Sequence, residues 1–467
     1  MQWLKTTANR YPDKTAIFYQ DQHISYQLLY EQAQKVAYEL DQLQHHRVAL
    51  VAENTLMDCY FIHAAIIANI EIVMINKHLT EHEMRKQMVS VDTELLFSNN
   101  TYTHISAIHK SEFVRKAINQ HSTLTAKPNH PEDILSIMFT SGTTGVQKAV
   151  PQRFINHLAS AGNCKQIFTY DHDSIWLDVL PLFHISGLSI LLRAVIDGCT
   201  VVLHEKFDAK QIIDDIKDKE ITHISLVPQT LERLLRQGLN QQYALQGILI
   251  GGAKLDDRLL IQARSANLPI YTSFGMTETC SQMITASPKD IQRYPKSVGQ
   301  INQNIQLFNA VNQVGEIGVR GDNVMHGYLY PESANQDVFK DGFFLTGDVG
   351  YIEDGYLYIL DRRKDLIISG GENIYPSEIE QVILSHTPVH AACVIGIKDS
   401  KWGSVPVCLY ESDNDMETII QDVLNNNIAK YKHPKQFIRV NNLKRTSNGK
   451  ISRHQCKEWF MHDYLKA

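Results

Sequence analysis

Short apolar runs alternate with amphipathic stretches along most of the chain. Eight runs read as strands: 47–51, 70–75, 94–97, 134–139, 200–204, 223–227, 248–250 and 269–273. Helical patterns lie between them. Leu28, Leu29, Gln32, Ala33, Val36, Ala37 and Leu40 form an apolar-leaning stripe with helical spacing. Strands and helices in alternation predict α/β layers built on mainly parallel sheets. From about residue 298 the character changes. Short runs such as 315–320 and 355–360 alternate with glycine-rich turns, which predicts a small antiparallel or barrel-like unit over about 298–361. After residue 362 the pattern is compact α+β: a helix near 377–385, strands at 392–397 and 405–411, and a helix near 416–428.

Two polar segments punctuate this order. Residues 121–133 hold Pro128 and Pro131 and precede a buried-looking strand. Asp361-Arg362-Arg363-Lys364-Asp365 is a dense charge cluster that, taken alone, reads as a solvated turn. The main boundary falls there. It gives a large N-terminal domain, 1–362, and a small C-terminal domain, 363–467.

Composition narrows the class. The chain has 467 residues, 43% hydrophobic and 21% charged, with a formal net charge of −6. Disordered and fibrous classes are excluded. A mildly acidic chain has no global attraction for nucleic acid or anionic membrane. The seven cysteines are scattered and none forms a C-x-x-C pair, so a disulfide framework is not expected and a cytoplasmic location is. No apolar signal core follows Met1, and the most apolar stretch, 62–75, is broken by Asn69 and Glu71. Stable membrane insertion is not expected. His78-Leu79-Thr80-Glu81-His82 spells H-x-x-E-H, yet Thr80 and Glu83 also form a capping box that starts a helix at Glu81 and leaves His78 outside it. The zinc interpretation is therefore set aside.

Six motifs carry chemistry. Thr140-Ser141-Gly142-Thr143-Thr144-Gly145 follows a strand and leads to Lys148. Glycines let the backbone turn its N–H groups towards an anion, hydroxyls add donors and Lys148 adds a cation, which suits a polyphosphate. No G-K-[ST] follows, so it is not a Walker A loop. Phe274-Gly275-Met276-Thr277-Glu278 lies at the carboxyl end of a strand, where α/β folds gather ligands. Glu278 suits Mg²⁺ and Phe274 offers a flat face to a base; read as structure, they are a helix-terminal charge and a core residue. Thr346-Gly347-Asp348, the charge cluster, Gly370-Gly371-Glu372-Asn373-Ile374-Tyr375-Pro376 and Asn448-Gly449-Lys450 complete the set.

Taken together and in this order, these motifs resemble the adenylate-forming superfamily of acyl-CoA synthetases, luciferases and peptide-synthetase adenylation domains. The resemblance covers essentially the whole chain. It implies a large domain binding ATP and an acid, and a small domain that rotates between two half-reactions. By resemblance, Thr140 to Gly145 and Lys148 hold the ATP phosphates, and Phe274 stacks on adenine. Thr277 contacts phosphate and Glu278 binds Mg²⁺. Asp348 and Arg362 hold the ribose hydroxyls, Lys364 sits near the hinge and Lys450 is the adenylation lysine. Gly370 and Gly371 line the pantetheine tunnel on the thioester side.

The acid is read from a separate segment. His184-Ile185-Ser186-Gly187 opens an apolar, helix-like run that contains Arg193. A buried guanidinium demands an anionic partner, supplied either by substrate or by Asp197 one turn on. This segment, with Leu226 to Thr230, Gly251-Gly252-Ala253-Lys254 and Ser273 to Gln282, resembles the branch of CoA ligases that act on 2-succinylbenzoate in menaquinone biosynthesis. The resemblance implies that one carboxylate is adenylated while Arg193 anchors the other, with His184, Ser186, Gly251 and Gly252 at the acid. The alternatives are an aryl- or medium-chain acyl-CoA ligase of the same mechanism and a non-enzymatic nucleotide sensor on the same fold. Intact Glu278 and Lys450 argue against the sensor. A homo-oligomer is left open.

Overall fold

A computed structural model describes residues 1–140, 147–311, 313–370, 372–446 and 449–464. Two large sheets organise the N-terminal part. One has six strands in the order Ala107–His109, Leu96–Ser98, Arg47–Val51, Glu71–Ile75, Ile134–Thr140 and Lys148–Arg153. Its pairings are parallel except the last, which is antiparallel. The other has eight strands, from Ser281–Ala286 through Ile270–Met276, Gly247–Ile250, His223–Leu226, Ile175–Asp178, Thr200–Leu203 and Thr15–Tyr19 to Gln22–Ser25. Its interior is parallel and both edges are antiparallel. Buried Val, Ile and Leu fill these strands because helices cover both faces.

Helices Tyr26–Gln42, Leu56–Ala68, Phe154–Phe168 and Ile185–Asp197 share one core with both sheets. Each fully buried Leu or Ile there contributes roughly 1.5–3 kcal/mol. Local chemistry fixes the ends. Thr55 and Asp58 cap one helix reciprocally, and Thr80 with Glu83 do so for Glu81–Ser90. That helix starts where the sequence predicts and leaves His78 outside. Gly187, in the first turn of Ile185–Asp197, approaches the preceding turn so closely that a Cβ would lie 2.5 Å from the Leu180 and Pro181 carbonyl oxygens. Only glycine allows that helix to start there.

A third sheet, Gly299–Gln300, Tyr356–Arg362, Phe343–Glu353, Val314–Val319 and Ile305–Val311, is antiparallel. It runs as an open path, and no pairing joins its two ends among the described residues, so the expected barrel-like closure is not seen. Beyond it, a hairpin (Ile367–Ser369 and Glu372–Ile374), a three-stranded sheet and helices Pro376–His386, Glu417–Asn427 and Arg453–Trp459 build separate small cores. The charge cluster is no solvated turn throughout: Asp361 is buried, while Arg362, Arg363 and Lys364 are exposed. Segment 121–133 carries no regular element. All seven cysteines are free and buried. Among the described residues no helix is long and apolar enough to cross a membrane.

Candidate active site

The candidate residues gather where the carboxyl ends of the large-sheet strands meet the third sheet and the C-terminal part. Thr140 ends its strand directly opposite Lys148 in the hairpin register. Ser141, Gly142, Thr143, Thr144 and Gly145 lie outside the described residues, as does Gly371. The Lys148 ammonium stands 4.5 Å from the centre of the Tyr328 ring. The Tyr328 hydroxyl donates to Glu278 Oε1 at 2.9 Å. Burial, the Glu278 charge and the hydrogen bond to it push the phenol well above its usual range, so it stays a donor. Glu278 is buried, and among the described residues no lysine, arginine or histidine pairs with it. An unneutralised buried carboxylate is costly and suits a hard divalent cation. Glu278 sits in a single turn of 3₁₀ helix, Thr277–Thr279, so it is not the charge of a helix N-terminus.

The neighbouring peptide is fixed from beneath. Gln152 Nε2 donates to the Thr277 carbonyl at 3.0 Å, and Ser136 Oγ donates to Gln152 Oε1 at 2.7 Å. Phe274 is half-buried, packed against the core of the third sheet.

Asp348 and Arg362 face each other across neighbouring antiparallel strands, with Arg362 Nε 2.8 Å from Asp348 Oδ1. Asp348 Oδ2 has no partner and Asp348 is buried. Burial raises its carboxyl to about 6, against the opposing pull of Arg362. Such an orphaned acceptor beside an exposed guanidinium can take a pair of hydroxyl donors.

Lys450 reaches this place from the C-terminal part. A Cβ on Gly252 would lie 3.0 Å from Lys450 Cε and 3.1 Å from Nζ. Gly252 also holds φ +81°, a backbone conformation that favours glycine. Burial lowers the Lys450 ammonium from its usual range, Arg362 lowers it further and Asp348 opposes both. A Cβ on Gly251 would stand 3.2 Å from Ser273 Oγ. His184 precedes the helix Ile185–Asp197 with its Nε2 buried and unpartnered. Burial, with help from Lys450 and His78, holds its imidazole down at about 4, so it is neutral at physiological pH.

Arg193 lies on the same helix, two turns beyond Ser186, and is 2% exposed. Asp197 is not its partner: that carboxylate pairs with Lys165. Arg193 Nη2 donates to Ser160 Oγ at 3.2 Å, Nε has no partner, and the Trp176 ring centre is 6.0 Å away. No carboxylate among the described residues pairs with this guanidinium. A buried cation in that state is poised for an anion that binds.

Gly370 sits beneath Trp402, and its N–H donates to the Trp402 carbonyl at 2.9 Å. Lys364 is exposed in the 3₁₀ turn Arg363–Asp365. Sequence reading missed Tyr328 and Gln152. Each acts on a residue 50 or 125 positions away, and neither lies in a motif that names it.

Comparison with known proteins gives the family. The AMP-binding enzyme family matches residues 4–329, and the AMP-binding enzyme C-terminal domain matches residues 378–450. The chain is 44% identical over 469 residues to a 2-succinylbenzoate–CoA ligase of Staphylococcus epidermidis, covering 97% of each. Among solved structures, o-succinylbenzoate CoA synthetase (MenE) from Bacillus subtilis, in complex with the acyl-adenylate intermediate, superposes with a TM-score of 0.92 at 34% identity, over 98% of both chains. The same enzyme with ATP and magnesium ion gives 0.90 at 33%, over 98% of this chain and 99% of that one.

Proposed function

Since the chain belongs to the AMP-binding enzyme family, we propose that this site joins 2-succinylbenzoate to coenzyme A, with ATP converted to AMP and pyrophosphate. The observation that carries the reading is the convergence of Lys450, Arg362, Asp348 and His184, with Arg193, which pairs with no carboxylate among the described residues, farther along the helix that His184 precedes. It combines a nucleotide grip, a mobile cation and a second, buried cation for a second carboxylate.

Two half-reactions follow. A carboxylate oxygen of the acid bonds to the α-phosphorus of ATP and pyrophosphate leaves. The sulfur of coenzyme A then bonds to the acyl carbon, AMP leaves and the thiol proton is lost. The first step brings anion onto anion, so its barrier is electrostatic. Lys450 and Lys148 offset that charge, with Thr140 and the loop Ser141 to Gly145 around the phosphates. Asp348 and Arg362 fix the ribose, Phe274 lies along the base, and Thr277 adds a phosphate contact. Glu278 would hold Mg²⁺, which would supply neutralisation of phosphate charge. Neutral His184, Ser186, Gly251 and Gly252 shape the acid pocket without adding a competing charge.

The boundary at residues 362 and 363, with Lys364 at the hinge, makes the C-terminal part a unit that exchanges Lys450 for the Gly370–Gly371 face between steps. On this reading the enzyme serves menaquinone biosynthesis and works in the cytoplasm, which the absence of a membrane-crossing helix among the described residues allows. The test is purified protein with ATP, Mg²⁺ and CoA against a panel of acids, read as thioester. Succinylbenzoate should give the highest kcat/KM. Benzoate or octanoate outrunning it would overturn the substrate and keep the reaction class.

A further inference from the structure

Few polar contacts tie the C-terminal part to the rest of the chain, and the most buried of them converge on one carboxylate. Asp361 ends the last strand but one residue of the third sheet and is 7% exposed. Its Oδ2 accepts the Ser377 N–H at 2.8 Å. Its Oδ1 accepts the Arg362 N–H at 2.8 Å and lies 3.4 Å from Arg453 Nη1. Ser377 Oγ also donates to the Leu360 carbonyl. Ser377 opens the helix Pro376–His386, so the carboxylate faces the positive end of that helix. Arg453 is three residues beyond Lys450. Its remaining partners, Asp365 Oδ2 at 2.9 Å and both Glu380 oxygens at 2.8 Å, belong to its own unit. Among the described residues two further side-chain contacts span the 362/363 boundary: Arg363 Nη1 to Glu316 Oε2 at 2.6 Å, which lies before Lys364 and so need not break on rotation, and the longer Gln381 Nε2 to Asp257 Oδ2 at 3.4 Å.

We propose that Asp361 is a positioning residue for the first half-reaction: it is the fixed acceptor, on the N-terminal side of the hinge, that holds Ser377 and Arg453 so that Lys450 is presented to Gly252 and Asp348. The proposal rests on the two-step reading with its hinge at Lys364. Asp361 precedes that hinge, whereas Ser377, Arg453 and Lys450 follow it, so rotation of the C-terminal unit must break both bonds. Asp365 and Glu380 travel with Arg453 and keep theirs. Asp361 thus stabilises one orientation only. Its removal should act on the balance between the steps rather than on the chemistry of either.

The experiment separates the two half-reactions. Pyrophosphate release is followed in a single turnover with ATP and 2-succinylbenzoate without CoA. Thioester formation is followed from preformed acyl-adenylate and CoA. Asp361→Asn should slow the first about tenfold, the loss expected of a hydrogen bond to a charged group, and leave the second equal or faster. Asp365→Asn, which breaks a bond inside the moving unit, should leave the ratio of the two rates at the wild-type value. Ser377→Ala removes the hydroxyl that donates to the Leu360 carbonyl across the same junction, and should shift the ratio in the same direction as Asp361→Asn even if that variant folds poorly. Equal slowing of both steps in Asp361→Asn, or an equal change of ratio in Asp365→Asn, would overturn the role. A wild type that releases pyrophosphate with no acid at all would instead overturn the reading beneath it, and the positioning role with it.

Discussion

Replacing Arg193 by methionine tests the substrate assignment with two readouts of opposite sense. The guanidinium is 2% exposed, and Asp197, its nearest sequence candidate, is committed to Lys165. At about 4 Å and an effective dielectric of about 20, a bound carboxylate would gain roughly 4 kcal/mol of direct attraction. Desolvation of that carboxylate takes part of this back, leaving about 1.5–3 kcal/mol for a charge-assisted hydrogen bond. That corresponds to a roughly 10- to 150-fold rise in KM for 2-succinylbenzoate in Arg193→Met. A monocarboxylate such as benzoate lacks the second anion and should keep its KM. Stability should move the other way. An uncompensated buried cation is a burden on the free protein, so an apolar side chain of similar length should leave the melting temperature unchanged or higher, once the lost Ser160 contact is counted. Had Arg193 belonged to a structural ion pair, losing it would cost about 3–5 kcal/mol. The assay is pyrophosphate release against acid concentration, with thermal melting of the protein free of ligands. An unchanged KM for the diacid, or a steep fall in melting temperature, would refute the reasoning.

Lys450→Ala should lower pyrophosphate release by roughly 10²–10³ and thiolysis of preformed acyl-adenylate far less, because the lysine acts in one step only. Asp348, raised to about 6, gives two pH effects. Its folded value lies above its unfolded one, so its contribution to stability is fully present below about pH 4 and is lost as pH rises through 6. The unliganded protein should therefore gain stability between pH 7 and pH 5 by this group, and Asp348→Asn should remove that gain in melting experiments. The KM for ATP should rise as pH falls through 6, when Asp348 becomes a weaker acceptor for ribose, and a retained acid limb in Asp348→Asn would exclude this residue as its source. Tyr328→Phe removes the phenol on Glu278 and should raise the Mg²⁺ concentration for half-maximal pyrophosphate release about tenfold, with weaker Mn²⁺ binding by electron paramagnetic resonance.

Local patterns carried most of the architecture. The strand at 47–51 has the bounds its Val and Leu content predicts, and the helix after Thr80 starts at its capping box. These succeed because adjacent residues supply the deciding energies. The open form of the third sheet was not legible, since its end strands, Gly299–Gln300 and Ile305–Val311, are neighbours in sequence yet pair with different partners at opposite edges. Charge density at 361–365 pointed to solvent, yet Asp361 is buried because Ser377 and Arg453 bring it donors from outside the cluster. The Arg193–Asp197 spacing was correct for a helix pair, but Lys165 on the neighbouring helix reaches Asp197 first. In the site, residues inside motifs were legible, and the phenol of Tyr328 and the amide of Gln152 were not. Their targets are set by how two sheets come together.

The burial of every cysteine has a meaning for what the enzyme must contain. An acyl-adenylate is an electrophile, and any reachable protein thiolate would compete with coenzyme A for it. Burial pushes the Cys280 and Cys164 thiols up from their usual range, and Cys280, next to the Thr277–Thr279 turn, is the one nearest the reacting groups in sequence. A protonated, enclosed sulfur is a poor nucleophile. Enclosure of all seven sulfurs thus disfavours their competition for a waiting acyl-adenylate and favours coenzyme A as the thiol that collects the acyl group.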